Sequence, residues 1–287
     1  MSRLTVDRIQ YYVECWGEGA PLVLLHGFTG SSATWAPHVA SWRARAIAVD
    51  LPGHGQTDAP ADSARYRMEA TVADLVALLD QLGVERAHVL GYSMGGRVAL
   101  HLAAAHPERV ATLILESASP GLATQAERAA RVAADTALAA SIGRDGIAAF
   151  VDRWEALPLW ASQARLPDAV RAGLRAQRLN NRPLGLANSL RGLGTGAQAP
   201  LHYRLADLPV PALVIAGMLD AKFAAIARAM AAALPQGRLA LVPEAGHAVH
   251  LEQPALFDRL VAEFLEEHAL LAAFSPTVSE REIAPCR

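Results

Sequence analysis

The sequence predicts an α/β protein, a mostly parallel sheet with helices on both faces and a helical cap insertion. Three observations carry this. Short apolar runs of strand length alternate with segments of helical period along most of the chain. That alternation is the pattern of a parallel sheet covered by helices on both sides. Residues 119–200 break the rhythm: they are rich in Ala and Arg, helical in period and free of strand-like runs. With 287 residues, 52% of them apolar, the chain is long enough to bury a large core.

The elements follow in order. "LTVDRIQYYVECWG" reads as two short antiparallel strands. "PLVLLHGF" (21–28) reads as a buried strand ending in Gly27, and "ARAIAVDLPGHG" (44–55) as a strand followed by a Pro-Gly turn. "EATVADLVALLDQL" (69–82) has helical periodicity and stops before Gly83, a C-cap signal. "AHVLGYS" (87–93) is the next strand, followed by a helix to about Ala105, and "VATLILES" (110–117) is another. After the irregular stretch come "ALVIAGMLD" (212–220) and "RLALVPEAGH" (238–247), each leading into a helical pattern. The expected organisation is an α/β core of 1–118 and 201–268, a helical cap at 119–200 inserted where it can cover a site, and a C-terminal extension at 269–287. The end of that extension, "SPTVSEREIAPCR", is polar and is expected to be disordered.

Composition narrows the function classes. No apolar run approaches the ~20 residues of a membrane span, and the first twelve residues lack the apolar stretch of a signal peptide. Two cysteines, Cys15 and Cys286, give neither a disulfide framework nor metal-ligand spacing. A reducing, cytoplasmic setting is expected. Net charge is −2, which gives no sign of nucleic-acid binding. Charge is uneven, however: residues 119–200 hold ten Arg against six Asp and Glu. Lys222 is the only lysine, so arginine abundance by itself says little about function.

"GYSMG" (91–95) fits G-x-S-x-G directly after a strand and directly before a helix, the context that motif requires. The glycines permit a tight turn that lifts Ser93 above the sheet, near a helix N-terminus that favours negative charge. A serine needs a base to react near neutral pH. Of ten histidines, His247 in "PEAGHAVHLEQP" is placed best, after the last strand, where a loop can carry an imidazole over the sheet edge. His250 is the rival, but further into the helix its side chain should point elsewhere. His54, His101 and His106 read as turn, packing or surface residues. An orienting carboxylate is expected from Asp220, at the end of "ALVIAGMLD", with Glu116 at the end of the preceding strand as rival. Asp220 is preferred, because strand ends on this edge of such a sheet are where ligands bind. "HGFTGSS" can supply an oxyanion hole from the backbone N–H groups of Phe28 and Met94. Arg97 lies four residues after Ser93, one turn along the same helix face, where it can hold a carboxylate bidentately.

The chain resembles the α/β-hydrolase superfamily and, more narrowly, the 2-succinyl-6-hydroxy-2,4-cyclohexadiene-1-carboxylate synthases, lyases of menaquinone biosynthesis. The matching stretches are "HGFTGSSATW", "DLPGHG", "GYSMGGRVAL", "ESASPGL" followed by "ERAARV", "RLNN", "LRGLGTGAQAPL", "LDAKF" and "AGHAVHLEQP", over roughly residues 20–255. "HGF", "PGHG" and the serine elbow are shared across the superfamily. Arg97, "LRGLGTGAQ" and "LDAKF" are more specific. The family's "GERD"-like turn reads "GMLD" here, with Asp220 retained. The resemblance implies an α/β-hydrolase fold, a Ser93–His247–Asp220 triad with serine acting as base, and elimination of pyruvate rather than hydrolysis. It also implies an anionic small-molecule substrate and no metal or organic cofactor; from charge and hydropathy no nucleic-acid or membrane partner is expected. It further implies that Arg131 and Arg178 join Arg97 as anion binders and that Tyr92 and Trp154 line the pocket. From the residues alone, Arg131 and Arg178 read equally as a solvated helix face. The alternative function is a serine hydrolase, a carboxylesterase or a carbon–carbon bond hydrolase. A catalytically silent ligand-binding member of the fold is a third class, which the intact set Ser93, His247 and Asp220 disfavours.

Overall fold

The computed structural model describes residues 1–269. Residues 270–287, with Cys286 and nearly all of the extension expected to be disordered, lie outside the described residues. β1 (Ser2–Val6) and β2 (Ile9–Trp16) form an antiparallel hairpin. Its two turn residues, Asp7 and Arg8, both have positive φ (42° and 68°), the tight-turn geometry that matches strand twist. β3 (Pro21–Leu25) and β4 (Arg45–Val49) follow, then α1 (Met68–Gln81), β5 (Ala87–Tyr92), α2 (Met94–Ala105) and β6 (Val110–Glu116). α1 ends as expected, with Gly83 at φ 65° just past its last turn. α3 (Gln125–Glu155), α4 (Asp168–Leu179) and α5 (Pro183–Leu193) come next, with no strand among them. β7 (Ala212–Gly217), α6 (Ala221–Ala233), β8 (Gly237–Val242), α7 (Val249–Glu252) and α8 (Pro254–Glu267) complete the described chain.

The sheet runs β1-β2-β4-β3-β5-β6-β7-β8. β2 pairs antiparallel with β1 and β4; every other pair is parallel. Both faces of the central strands β3, β5, β6 and β7 are buried, and alternate residues of one strand serve different cores. On β3, Val23 and Leu25 pack with α1, α2 and α6. Leu22 and Leu24 face Trp35, Trp42 and the Phe257–Val261–Phe264 face of α8. Three strands stop earlier than the sequence suggests, β8 among them, which ends at Val242, five residues before His247. β3 ends at Leu25 because Gly30 N–H turns back to the Gly27 carbonyl (3.0 Å), with Thr29 at φ 69°. β7 ends at Gly217, three residues before Asp220, which caps α6 instead of closing the strand.

The helices between β6 and β7 have a core of their own. Ala139, Ile142, Phe150 and Val151 of α3 pack on Leu186, Ala187 and Leu190 of α5, and Phe28 of the sheet side joins them. α3 starts on a capping box in which Thr124 and Glu127 satisfy each other's N–H groups. It breaks at Gly146, whose φ of 82° a side chain would resist. α5 rests directly on the loop after β4: a Cβ on Gly185 would collide with the Gly53 carbonyl, and Asn188 donates to the carbonyls of Pro60 and Ala61 (both 3.1 Å). Among the described residues no helix is long and apolar enough to cross a membrane.

Candidate active site

Ser93 sits between β5 and α2 with φ 50° and ψ −104°, the strained turn that the flanking glycines allow. A Cβ on Gly95 would fall on the Leu25 carbonyl, so only glycine lets the elbow approach β3 this closely. The Ser93 N–H donates to the Glu116 carbonyl (2.8 Å), which ties the elbow to the end of β6.

The structure brings Ser93, His247 and Asp220 together. His247 Nε2 lies 3.0 Å from Ser93 Oγ, and His247 Nδ1 lies 2.8 Å from Asp220 Oδ2. The second carboxylate oxygen of Asp220 accepts the Phe223 N–H (3.1 Å), so one residue caps α6 and meets the imidazole. Burial works to raise the Asp220 pKa. The His247 hydrogen bond, the Phe223 N–H and the nearby charges of His247 and Lys222 outweigh it and hold the pKa below the ordinary value. His247 is almost fully buried, with the Phe223 ring 4.5 Å and the Trp160 ring 5.5 Å from its own.

The two rivals pair with each other. Glu116 is fully buried and faces His250, whose Nδ1 lies 2.9 Å from each of its carboxylate oxygens. The same carboxylate accepts the His250 backbone N–H (3.0 Å). His250 therefore points away from Ser93, as its place in the sequence suggested, into a cluster with Trp35, His38 and Phe257. His54 is fully buried in its turn, and His101 and His106 are half-buried along and just after α2.

Phe28 and Met94, the expected oxyanion donors, lie in the loop after β3 and at the start of α2. Met94 is the first residue of α2, so its N–H has no partner within the helix. Phe28 lies in the loop after β3, which His26 pins: its Nε2 accepts the Leu51 N–H (3.0 Å), and its Nδ1 meets the Gly27 carbonyl (2.8 Å). Asp50 adds a second tie by accepting the Ser32 N–H (2.6 Å).

Arg97 and Arg178 are buried, and Arg131 is not. Arg97 is 9% exposed, and its guanidinium donates to Gln198 Oε1. Among the described residues no carboxylate lies within ion-pair distance of it. Burial, with the charge of Arg131 nearby and Asp135 opposing, pushes its pKa down to about 10. Arg178 is equally buried; it donates to Glu155 (3.0 Å) and Gln163 (3.3 Å) and lies over the Trp160 ring (5.5 Å). The solvated-face reading therefore fails for Arg178. Arg131 is about half exposed and pairs with the buried Asp135 (2.8 Å) one turn along α3.

Tyr92 is buried against both His247 (5.6 Å between rings) and His250 (4.7 Å). Trp154 meets Phe28 edge-on (5.3 Å between rings) and packs at a tilt against Phe150 (5.6 Å) and Trp160 (5.7 Å). A small cavity lined by Phe28, Tyr92, Trp160, Gln163 and Arg178 lies beside these rings. Sequence reasoning passed over Trp160, Gln198 and Phe223. Gln198 lies in the distinctive "LRGLGTGAQ" stretch and Phe223 in "LDAKF", so both carried a signal; Trp160 was one aromatic in a helical insertion.

A parallel sheet whose serine elbow, acid turn and histidine loop converge at one edge defines a class, and the comparisons agree with it. The alpha/beta hydrolase fold family model matches residues 20–254, and the chain belongs to that family. A Bacillus subtilis protein provisionally named as a 2-succinyl-6-hydroxy-2,4-cyclohexadiene-1-carboxylate synthase is 46% identical over 90% of this chain and 96% of its own. The Serratia proteamaculans synthase of the same name is 34% identical over 85% of this chain and 92% of its own. Among solved structures, MenH from S. aureus superposes with a TM-score of 0.85 at 36% identity, covering 92% of this chain and 99% of that one.

Proposed function

We propose that this protein is a carbon–oxygen lyase: it eliminates pyruvate from 2-succinyl-5-enolpyruvyl-6-hydroxy-3-cyclohexene-1-carboxylate to give 2-succinyl-6-hydroxy-2,4-cyclohexadiene-1-carboxylate. The names of the relatives support this reading. The structural observation that carries it is Arg97, a buried cation one turn beyond Ser93 with no carboxylate of the described chain paired to it. Burying a charge without a counter-ion is costly, and the free energy is recovered when a ligand supplies the anion. An ordinary ester needs no such residue; a tricarboxylate does.

In this mechanism His247, held by Asp220, accepts the Ser93 proton and makes Oγ basic enough to take a ring C–H proton beside the succinyl ketone. Charge that develops on the ketone oxygen is met by the N–H groups of Phe28 and Met94. The electrons then move through the ring, and the enolpyruvyl C–O bond breaks with its pair on oxygen; the departing enolate takes up one proton to become pyruvate, and the site returns to its starting state by releasing the proton taken from the ring. Arg97, Arg131 and Arg178 hold the carboxylates so that one C–H faces Ser93, with Tyr92 and Trp154 as the apolar wall. The molecule acts in the cytoplasm.

The test is to supply the enolpyruvyl substrate and follow pyruvate with a coupled dehydrogenase. The summed product masses should equal the substrate mass, with no water added. Deuterium at the abstracted position should slow turnover where proton transfer limits it. Products heavier by one water, or an acyl group on Ser93 formed from this substrate, would establish the serine hydrolase instead.

A further inference from the structure

Between β8 and α7 the chain forms a loop, residues 243–248, with no regular structure. It carries His247, whose Nε2 must stay near 3.0 Å from Ser93 Oγ. The loop is crowded and strained. Glu244 has φ 55°, and a Cβ on Gly246 would collide with Ser162 of the cap. Asp220 grips the imidazole at Nδ1, but nothing in that contact fixes the backbone from which the ring hangs.

Glu252, the last residue of α7, supplies such a grip. One carboxylate oxygen accepts the Gly246 N–H (2.8 Å) and the other accepts the Ala248 N–H (3.3 Å). These are the residues on either side of His247. We propose that Glu252 is a positioning residue for the base: its carboxylate bridges the two peptide N–H groups that flank His247 and so holds Nε2 at Ser93. This rests on reading Ser93, His247 and Asp220 as one catalytic unit, and it holds for whichever reaction they perform.

The chemistry asks for a carboxylate. Both partners are donors, and an ionised carboxylate offers an acceptor to each; an amide offers one acceptor and one donor. Glu252→Gln therefore keeps the shape and turns an N–H toward an N–H. The loop must shift to relieve this, and a displacement of about 1 Å at the imidazole is enough to cost on the order of 10²-fold in rate. Arg97, Arg131 and Arg178 lie on α2, α3 and α4, so substrate anchoring is untouched.

The experiment compares wild type, Glu252→Gln and Glu244→Ala. The readouts are the rate of Ser93 labelling by a serine-directed fluorophosphonate and the kcat and KM for pyruvate release. Labelling needs the base but no recognition of the substrate. Glu252→Gln should lower labelling and kcat together, by about 10- to 100-fold, with KM within about twofold. Glu244→Ala, on the same loop but in an exposed pair with Arg165, should match wild type. Labelling in Glu252→Gln within about twofold of wild type overturns the proposal. So does a loss that only tracks the folded fraction seen by circular dichroism, or a rise in KM at constant kcat. If Glu252→Gln does not fold, hydrogen exchange in the wild-type protein decides: protected Gly246 and Ala248 amides support the bridge, and exchange as fast as open-loop amides refutes it. Rapid wild-type labelling without pyruvate release would count against the proposed function and leave this inference standing.

Discussion

Asp220→Asn tests the heart of the site, because the side chain does two jobs with two oxygens. Oδ1 accepts the Phe223 N–H and Oδ2 meets His247 Nδ1. Asparagine has one acceptor and one donor, so it can do only one of these as before. If its oxygen stays on Phe223, the NH₂ faces Nδ1. The imidazole must then carry its proton on Nε2, which donates to Ser93 and cannot accept from it. If the amide turns over, the tautomer is right but the α6 cap is lost, at about 1–2 kcal/mol. The productive orientation is thus a minority of roughly one in five to one in thirty. Even there, the imidazolium that forms has lost a charge-assisted hydrogen bond worth about 1.5–3 kcal/mol. Together these terms give about 2.5–5 kcal/mol, a fall in kcat of roughly 70- to 5,000-fold. KM should change little. The assay is coupled pyruvate release, with Glu116→Gln in parallel, since Glu116 serves His250. An Asp220→Asn variant within about fivefold of wild type, or one less impaired than Glu116→Gln, would refute the assignment.

Further outcomes follow from the same geometry. Because the folded-state pKa of Asp220 is held below its unfolded value, its contribution to stability is present above about pH 4 and fades as the pH falls through the folded pKa. The denaturation difference between wild type and Asp220→Asn should therefore shrink in acid; a constant difference would contradict this. Burial, the largest cause in each case, pushes His54 down to about 3, and His88 and His101 down to about 4. Their stabilising contribution is present above the unfolded value of about 6.5 and is lost as pH drops toward the folded values. The urea midpoint should fall between pH 7 and pH 5, and His88→Gln should flatten that slope; a flat wild-type profile would count against neutral buried imidazoles. Arg97→Met should lower kcat/KM for the tricarboxylate by about 10- to 150-fold while Tm stays within about 3 °C, since a buried unpaired charge is removed. Loss of Tm with activity intact would make Arg97 structural. Arg178→Lys should fail to rescue Arg178→Ala on the tricarboxylate, because the lysine lacks the fork that meets Glu155, Gln163 and an anion together. Cleavage of neutral aryl esters, if any, should be unaffected.

The sequence by itself determined the alternation of strands and helices, because a strand buried on both faces must be apolar throughout and a helix on a sheet must be apolar at helical spacing. It determined the elbow as well: Gly91, Ser93 and Gly95 are spaced for one backbone turn, and that turn is local. The order Ser93, Asp220, His247 was legible for the same reason, each residue following its own strand. The preferred acid and base, Asp220 and His247, were legible too, but what becomes of their rivals was not. Glu116 ends one parallel strand and Asp220 follows another, and His247 and His250 stand three residues apart. The fold shows that the rivals pair with each other, Glu116 at the end of β6 with His250, while Asp220, the N-cap of α6, meets His247. The partners of the arginines were hidden likewise. Arg97 meets Gln198 about a hundred residues away, and Arg178 meets Glu155, Gln163 and Trp160 among the segments between β6 and β7. Those contacts depend on how α3, α4 and α5 pack over the sheet. Their sequence records the faces they bury, whereas the place where a long guanidinium ends is set by the three-dimensional packing of residues distant in the chain.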